Sequence, residues 1–282
     1  MEANAAALLE NLDTITRAGV DALVLFGSTG EFVHFDIEER ARVLSLAIRR
    51  SRVPMLVNVS HSSFHGAVAL AEQAIEAGAS GLLLMPPYFY RYTEDQIFDF
   101  YQAFVQEIKD YPALYLYNLP AFTNPITLAL ATRLLETKSF AGIKDSSGDA
   151  FLFAGFAELK KALPFQLLAG NESLYTQVRA NAADGIISGV AAAVPELMVA
   201  LDRAIVSQVQ TNVEALSPLL SEFLEWIAKF PACVAIRRAA SLRGWPFKES
   251  AVPPGPAMQK QFDAYDLWFQ AWIPDVLKQC SM

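Results

Sequence analysis

Residues 21–31 read DALVLFGSTGE, and this stretch sets the pattern for the whole fold. A short apolar run is followed at once by glycine and hydroxyl residues, and an amphipathic stretch begins at residue 37. An apolar run of this length is typical of a buried strand, and the glycines mark a turn leading out of it. The stretch therefore predicts one strand–turn–helix unit.

The same unit recurs along the chain. Seven apolar runs are candidate strands, at residues 22–26, 55–59, 81–85, 113–117, 141–144, 166–169 and 185–188. Helical patterns lie between them, at residues 37–50, 64–77, 94–109, 128–137 and 151–163. This alternation predicts an α/β fold of the (β/α)8 barrel class, also called a TIM barrel, with its chemistry at the carboxyl ends of the strands.

The predicted barrel is one strand short. Its first element, residues 5–17, is helical, and nothing strand-like precedes it, so the first barrel strand is expected to be missing from this chain. A start codon assigned too far downstream or a shortened chain would explain this. A neighbouring subunit filling the gap and an open barrel with an exposed edge are the alternatives.

Beyond residue 195 the strand pattern stops and only helical patterns follow, at residues 196–207, 213–228, 233–242 and 258–276. We expect two parts without a linker between them. Residues 1–195 would form the barrel, and residues 196–282 its last helix with a C-terminal helical extension.

The composition indicates a heavily buried fold. Hydrophobic residues make up 53% of the chain and charged residues 18%, a profile typical of a parallel sheet covered on both faces. No run approaches the roughly 18–20 uncharged residues that a membrane helix needs, so no membrane association is expected.

The net charge of −8 opposes binding to nucleic acid and is typical of an acidic cytoplasmic enzyme. A small anionic substrate remains compatible with it, because local NH groups and one buried cation can outweigh a distant surface charge. Cys233 and Cys280 are too few for a disulfide framework or a zinc site, which favours a reducing compartment. The N-terminus lacks the basic region of a signal peptide.

Two residues that close apolar runs are candidates for carbonyl chemistry. Lys144 ends the run in GIKDSSG, residues 142–148, and Tyr117 ends the run before NLP, residues 118–120. A lysine amine attacks a ketone only when it is neutral, and burial favours the neutral form. A surface lysine after a strand and a core tyrosine are the alternative interpretations of these two residues.

Three motifs at separate strand ends carry a resemblance: GSTGE at residues 27–31, YNLP at 117–120 and GIKD at 142–145. In order and spacing they resemble the pyruvate-dependent class I aldolases, the family of dihydrodipicolinate synthase, N-acetylneuraminate lyase and 2-keto-3-deoxygluconate aldolase. The resemblance covers nearly the whole chain. The family barrel begins with the strand that this chain lacks.

The resemblance implies roles for individual residues. Lys144 would form a Schiff base with pyruvate and Tyr117 would transfer protons, with no other cofactor. Ser28 and Thr29 would hold the substrate carboxylate, and the Ile187 carbonyl would lie beside the bound keto acid. A simple strand-to-helix turn is the alternative for the GSTG residues.

Departures from the family narrow the reaction. Dihydrodipicolinate synthases usually carry an arginine two residues after the proline of the YNLP motif, where this chain has Phe122. A phenyl ring cannot form the bidentate bonds that a second carboxylate requires, which counts against the synthase. Direct alignment also places Phe89 on the family tyrosine that crosses a subunit interface. Tyr88 or Tyr90 would be its substitute, and aromatic packing between subunits is the alternative role.

Polar groups beside the lysine would recognise a hydroxylated substrate tail. Ser146 follows Lys144 by two positions, and Asn171 and Glu172 follow the next strand; helix capping is the equally weighted alternative. Glu31 is expected to brace the GSTGE turn. His61 and His65 have a spacing that can bind a metal, but no third ligand is evident, and we expect none.

The sequence thus predicts a homo-oligomeric lyase, a dimer or tetramer, that acts on a small keto acid. Its reaction would be reversible cleavage of a 2-keto-3-deoxy acid into pyruvate and an aldehyde. Dihydrodipicolinate synthesis or dehydration of a keto-deoxy sugar acid is the alternative within the same chemistry. A noncatalytic pyruvate-binding barrel is the alternative from a different class.

Overall fold

A computed structural model describes residues 4–231, 233–246 and 252–281. Residues 1–3, on which part of the expectation about targeting depends, lie outside the described residues.

All seven predicted strands are present and form one parallel sheet in chain order. They are β1 Leu23–Leu25, β2 Met55–Asn58, β3 Gly81–Leu84, β4 Ala113–Asn118, β5 Gly142–Asp145, β6 Gln166–Ala169 and β7 Gly185–Ile186. Every residue of β3 and β5 is buried, as expected for strands covered on both faces. The predicted α/β class is therefore confirmed.

The strands β1, β2, β3 and β7 are shorter than their apolar runs predict, whereas β4 extends one residue further, to Asn118. Phe26 leaves β1 because its backbone adopts a left-handed conformation, with φ 58°. β7 ends at Ile186, two residues before the predicted end.

The helices follow the strands and lie where the periodicity places them. The first seven are α1 Ala5–Arg17, α2 Ile37–Arg50, α3 Phe64–Glu76, α4 Glu94–Glu107, α5 Leu128–Glu136, α6 Ala150–Ala162 and α7 Tyr175–Asn181. Short polar side chains begin several of them: Asp36 accepts from the Glu39 amide, and Thr93 forms a reciprocal capping box with Gln96. Short 3-10 helices occupy Phe32–His34, Glu172–Leu174 and Val190–Ala192.

Four further helices complete the described chain: α8 Pro195–Val206, α9 Gln210–Ile227, α10 Val234–Leu242 and α11 Pro256–Cys280. α9 and α11 pack through aromatic rings, among them Phe223 against Trp272 at 5.4 Å and Trp226 against Trp268 at 4.9 Å between centroids. None of the described helices combines the length and the apolarity that crossing a bilayer requires.

The sheet is open between its two edge strands within the described residues, because β1 and β7 do not pair with each other. A cavity of about 320 Å³ lies at this opening. Residues of α1 and β1 line one side of it, and Lys144 and the segment after β7 line the other. This cavity contains the candidate site.

Candidate active site

Lys144 and Tyr117 are neighbours in the sheet. They are register partners on the adjacent parallel strands β5 and β4, so their side chains point to the same side. Both are buried, at 5% and 1% exposure, and the Lys144 ammonium lies 4.0 Å from the centre of the Tyr117 ring. The structure thus brings together the two residues that the sequence singles out for carbonyl chemistry.

The turn after β1 completes this group. Ser28 lies in the GSTGE turn, and the Tyr117 hydroxyl donates a hydrogen bond to Ser28 Oγ at 3.3 Å. Ser28, Thr29 and Lys144 line the same cavity, together with Ile187 and Gly189 from the segment after β7. Hydroxyls and turn amides at this position offer the donors that a carboxylate needs.

Thr29 fits because residue 189 is a glycine. A Cβ atom at Gly189 would lie 2.5 Å from Thr29 Oγ1, closer than such atoms approach. Any larger residue at 189 would therefore force the Thr29 side chain out of its present position.

The environment of Tyr117 favours its ionised form. Burial by itself raises the pKa of this phenol, but the nearby Lys144 charge and hydrogen bonding with Ser28, Lys144 and Ser146 outweigh it, so the pKa is lowered. A phenol with a lowered pKa exchanges protons more readily near neutral pH.

Ser146 lies beside this pair. Its hydroxyl is buried and makes no hydrogen bond of good geometry with the described residues, although it lies close enough to Tyr117 to favour the phenolate. A Cβ atom at Gly170 would overlap Ser146 Oγ and lie 2.8 Å from Lys144 Cε. Ser146 is thus a buried polar group held next to the lysine.

Glu172 supports the segment that carries Ile187. One of its carboxylate oxygens accepts hydrogen bonds from Ser188 Oγ at 2.7 Å, Gly189 N at 2.7 Å and Val190 N at 3.2 Å. Asn171, the other predicted polar contact after β6, caps the 3-10 helix by accepting from Ser173. Asn171 thus has the helix-capping role that is the alternative for it, while one oxygen of Glu172 holds the segment after β7.

Glu31 pairs with Arg237 of α10, so the turn after β1 is tied to the C-terminal helices. This geometry agrees with the bracing role expected of Glu31. Arg237 lines the same cavity.

Phe122 and Phe89 lie apart from the cavity, on the loops after β4 and β3. Phe122 is 70% exposed, and Phe89 is 86% exposed with a left-handed backbone, φ 80°. Asn124 joins the two loops by donating to the carbonyls of Pro87 at 2.6 Å and Tyr90 at 2.8 Å. The aromatic residues therefore form a rim beside the site and do not line it.

Tyr88 and Tyr90 differ in their surroundings. Tyr88 packs its ring edge against Phe32 at 6.3 Å between centroids, whereas Tyr90 is largely exposed. Tyr88 therefore points back into the protein, and Tyr90 shares the exposed rim with Phe89.

His61 binds within its own loop. Its Nδ1 lies 3.0 Å from Ser63 Oγ and accepts from the Ser63 amide at 3.1 Å. Among the described residues, no group of three His, Cys, Asp or Glu side chains is placed to hold a metal ion.

No role was assigned from the sequence to two buried polar residues on the face of the sheet opposite Lys144 and Tyr117. Asn118 and Asp145 form a buried pair on the other face of β4 and β5, with Asn118 Nδ2 donating to Asp145 Oδ1 at 2.7 Å. Burial raises the pKa of Asp145, which hydrogen bonds from Ser147 and Asn118 partly offset. Asn118 directly follows Tyr117, and Asp145 directly follows Lys144. If Tyr117 and Lys144 are neighbours on adjacent strands, the residues after them must be neighbours on the opposite face, and the sequence could have predicted this pair.

Comparison with known proteins identifies the family. A sequence model of the Dihydrodipicolinate synthetase family matches residues 2–265. The chain belongs to the dihydrodipicolinate synthetase family. It is accordingly a member of a family of pyruvate-dependent carbon–carbon lyases, and the predicted resemblance is confirmed.

Relatives of this family member include proteins named as synthases and a protein named as a putative aldolase. A 4-hydroxy-tetrahydrodipicolinate synthase of Methanothrix thermoacetophila is 29% identical over 224 residues, which are 77% of this chain and 75% of that protein. The putative 2-dehydro-3-deoxy-D-gluconate aldolase YagE of Escherichia coli is 31% identical over 199 residues, 68% of this chain and 65% of that protein.

Solved structures show the same fold. The crystal structure of E. coli YagE in complex with pyruvate superposes with a TM-score of 0.88 at 24% identity, covering 96% of this chain and 93% of that chain. KD(P)GA from T. tenax gives 0.83 at 22% identity, covering 98% and 94%. The described residues thus form seven strands of the family's TIM-barrel fold, in a curled sheet that stays open between β1 and β7, with a C-terminal helical part.

Proposed function

We propose that this protein reversibly cleaves a 2-keto-3-deoxy acid into pyruvate and an aldehyde, with Lys144 as the Schiff-base nucleophile. The observation that carries the proposal is the buried contact of Lys144 with Tyr117, whose hydroxyl reaches Ser28 on the turn after β1. The amine and the proposed carboxylate-binding turn line one cavity, and Tyr117, the proposed proton carrier, contacts both of them. Membership in a lyase family agrees with it.

In the cleavage direction, the neutral Lys144 amine attacks the C2 ketone, and loss of water leaves a protonated imine. Tyr117, as the phenolate, takes the proton from the C4 hydroxyl. The C3–C4 bond breaks, its electrons enter the iminium, and the aldehyde leaves. The resulting enamine is protonated at C3, and water hydrolyses the imine to release pyruvate and the free lysine.

The carboxylate would stay fixed throughout. Ser28 and Thr29 would supply hydroxyl groups, and Ile187, whose carbonyl would lie beside the keto acid, lines the same cavity. Holding the ketone against the amine in one orientation removes much of the entropic barrier, since proximity can supply about 7–11 kcal/mol.

Phe122 favours the aldolase over the synthase. Condensation with aspartate semialdehyde would need a cation for a second carboxylate, and Phe122 presents an uncharged ring on the rim. Ser146 would instead contact substrate hydroxyls, as would the carboxylate oxygen of Glu172 that does not bind the segment after β7. Dihydrodipicolinate synthesis is the second candidate, because several relatives carry that name; dehydration of a keto-deoxy sugar acid belongs with it.

We further propose a cytoplasmic homo-oligomer, a dimer or tetramer, that acts on a small-molecule keto acid and binds neither nucleic acid nor membrane. The exposed Phe89, Tyr90 and Phe122 supply an apolar rim that a second copy would cover. The division into a barrel at residues 1–195 and a helical part at 196–282 belongs to the same proposal.

Reductive trapping tests the nucleophile. Incubation with pyruvate and borohydride should add one reduced pyruvate to the peptide containing Lys144, detected by mass spectrometry. The Lys144→Ala variant should give no adduct, whereas Lys161→Ala, which removes an exposed lysine, should react like the wild type. If folded wild-type protein gives no adduct at Lys144, both the aldolase hypothesis and the synthase hypothesis are refuted.

Turnover then separates the candidates. Release of pyruvate from a panel of keto-deoxy sugar acids is expected, with little consumption of aspartate semialdehyde. The opposite preference would support the synthase. A trapped adduct without turnover of either substrate class would support the noncatalytic pyruvate-binding barrel.

A further inference from the structure

Arg40 is a buried cation that the proposed chemistry leaves unused. It lies on α2 and is 1% exposed. Its guanidinium donates to the backbone carbonyls of Ser60, at 2.8 Å, and Asn58. Among the described residues no carboxylate forms an ion pair with Arg40, and its Nε has no hydrogen-bond partner. Burial lowers the pKa of Arg40 to about 10, so the group stays cationic at neutral pH.

Arg40 also contacts two aromatic rings next to the site. Its guanidinium carbon lies 5.1 Å from the ring centre of Phe26 and 5.2 Å from that of Phe32. Phe26 ends β1 and directly precedes the GSTGE turn. The cation therefore holds the ring at the base of that turn.

The backbone of Phe26 is strained. A bulky residue rarely adopts φ 58° unless the surrounding structure imposes it. Asn58 Nδ2 donates to the Phe26 carbonyl at 2.7 Å, and Ser60 Oγ donates to Asn58 Oδ1 at 2.6 Å. Arg40 in turn fixes the main-chain carbonyls of both Asn58 and Ser60. One guanidinium thus secures the Phe26 ring and the segment that holds the Phe26 carbonyl.

The left-handed conformation of Phe26 turns the chain out of β1 and aims the next residues at the cavity. Ser28, two residues further on, has its Oγ 3.3 Å from the Tyr117 hydroxyl. We propose that Arg40 is a positioning residue that fixes the carboxylate-binding turn through Phe26, and that the turn so fixed lets the cavity select an anionic carbonyl compound. This inference rests on the proposed Schiff-base function.

The test compares two ketones that differ only in charge. Pyruvate carries a carboxylate, and methyl pyruvate replaces it with an uncharged ester. The half-saturating concentration for reductive trapping is measured with each ketone for the wild type, Arg40→Met, Arg40→Lys and Arg42→Met. Arg42 lies on the same helix at the protein surface and serves as the matched control.

In Arg40→Met the half-saturating concentration of pyruvate is expected to rise about 10- to 100-fold, and that of methyl pyruvate to change less than about threefold. The half-saturating concentration of pyruvate for Arg40→Lys should lie between those of the wild type and Arg40→Met. Lysine keeps the positive charge but lacks the planar guanidinium that donates to two carbonyls at once. Arg42→Met should match the wild type. Equal losses with both ketones, or no loss with pyruvate, would overturn the proposal.

A structural readout keeps the two proposals apart. If the wild type traps neither ketone, the proposed function fails, and crystal structures of the wild type and Arg40→Met then decide the positioning role. Phe26 should leave the left-handed region and Ser28 should move away from Tyr117. An unchanged turn would overturn the inference. If Arg40→Met does not fold, Arg40→Lys carries both readouts.

Discussion

Tyr117 shows how neighbours set the chemistry of one residue. Burial disfavours its phenolate, while the Lys144 charge and the hydroxyls of Ser28 and Ser146 favour it, with a lowered pKa as the result. If the phenolate is the base in cleavage, the rate is lost as pH falls through this pKa. Because the pKa lies below that of an ordinary phenol, about 10, activity should persist to lower pH.

The hydrogen bond between Ser28 and Tyr117 gives a testable pH dependence. Ser28→Ala removes one group that stabilises the phenolate, so the pKa of Tyr117 should rise and the acidic limb of the kcat profile should move to higher pH. The measurement is kcat against pH at saturating substrate, which separates this effect from weaker carboxylate binding.

Tyr117→Phe is the control for that assignment. It keeps the ring beneath Lys144 but has no ionisable hydroxyl, so kcat should fall by about 10²- to 10⁴-fold and the limb should disappear. Superimposable profiles for the wild type and Ser28→Ala would contradict the role assigned to this hydrogen bond.

At the scale of elements, the site depends on how closely the ends of β5 and β6 approach. Gly170 follows β6, and its amide donates to the Asp145 carbonyl at 2.7 Å. There is no room for a side chain, because a Cβ atom would overlap Ser146 Oγ and press on Lys144 Cε. Close strand ends thus fix the position of the lysine.

Gly170→Ala should therefore displace Lys144. We expect the rate of reductive trapping to fall about 100-fold or more, since a shift near 1 Å has that effect on aligned groups. The cost in unfolding free energy should be about 1–3 kcal/mol, as for other overpacked sites. Trapping rates and urea unfolding measure the two effects.

Gly185→Ala is the matched control in the same sheet. A Cβ atom at Gly185 meets nothing closer than 4.0 Å, so both trapping and stability should change little. A Gly170→Ala protein that traps pyruvate at the wild-type rate would show that the lysine tolerates this crowding.

At the scale of the whole molecule, the C-terminal helices hold the site side of the barrel. Arg243 follows α10 and donates to the Ala193 carbonyl at 2.6 Å while pairing with Glu196 of α8. The pair of Glu31 with Arg237 adds a link to the turn after β1. The helical part thus stabilises two of the segments that line the cavity.

The aromatic packing of α9 against α11 should contribute to global stability and not to chemistry. Phe223 is fully buried among Trp268, Phe269 and Trp272 and does not line the cavity. Phe223→Ala should lower the unfolding free energy by about 3–5 kcal/mol, a large share of the roughly 5–15 kcal/mol of an ordinary protein. Denaturant unfolding checks this value.

Leu267→Ala on α11 is the control, because the Leu267 side chain is largely exposed. This substitution should lower the unfolding free energy by less than about 0.5 kcal/mol. The kcat of the folded Phe223→Ala protein should stay near the wild-type value. A drop in kcat without a drop in stability would contradict this division between stability and chemistry.

The order of the strands in the sheet could be predicted from the amino-acid sequence. Apolar runs alternating with amphipathic stretches specify parallel strands in chain order, because the helix between two strands returns the chain so that each strand pairs with the one before it. Tyr117 and Lys144 lie near the carboxyl ends of consecutive parallel strands, so their contact follows from the predicted strand order. The sequence also predicts that the turn of residues 27–31 lies at the carboxyl ends of the strands, beside Tyr117 and Lys144.

The packing at that edge could not be predicted from the sequence. The left-handed Phe26, the Arg40 contacts and the use of Glu172 to hold Gly189 depend on groups far apart in the chain. Local periodicity carries no information about such distances, because a loop's course is fixed by whatever it packs against. The chemistry could be predicted from residue types at strand ends, whereas its exact positioning required the packing of β1, α2, β2 and β7 around one cavity.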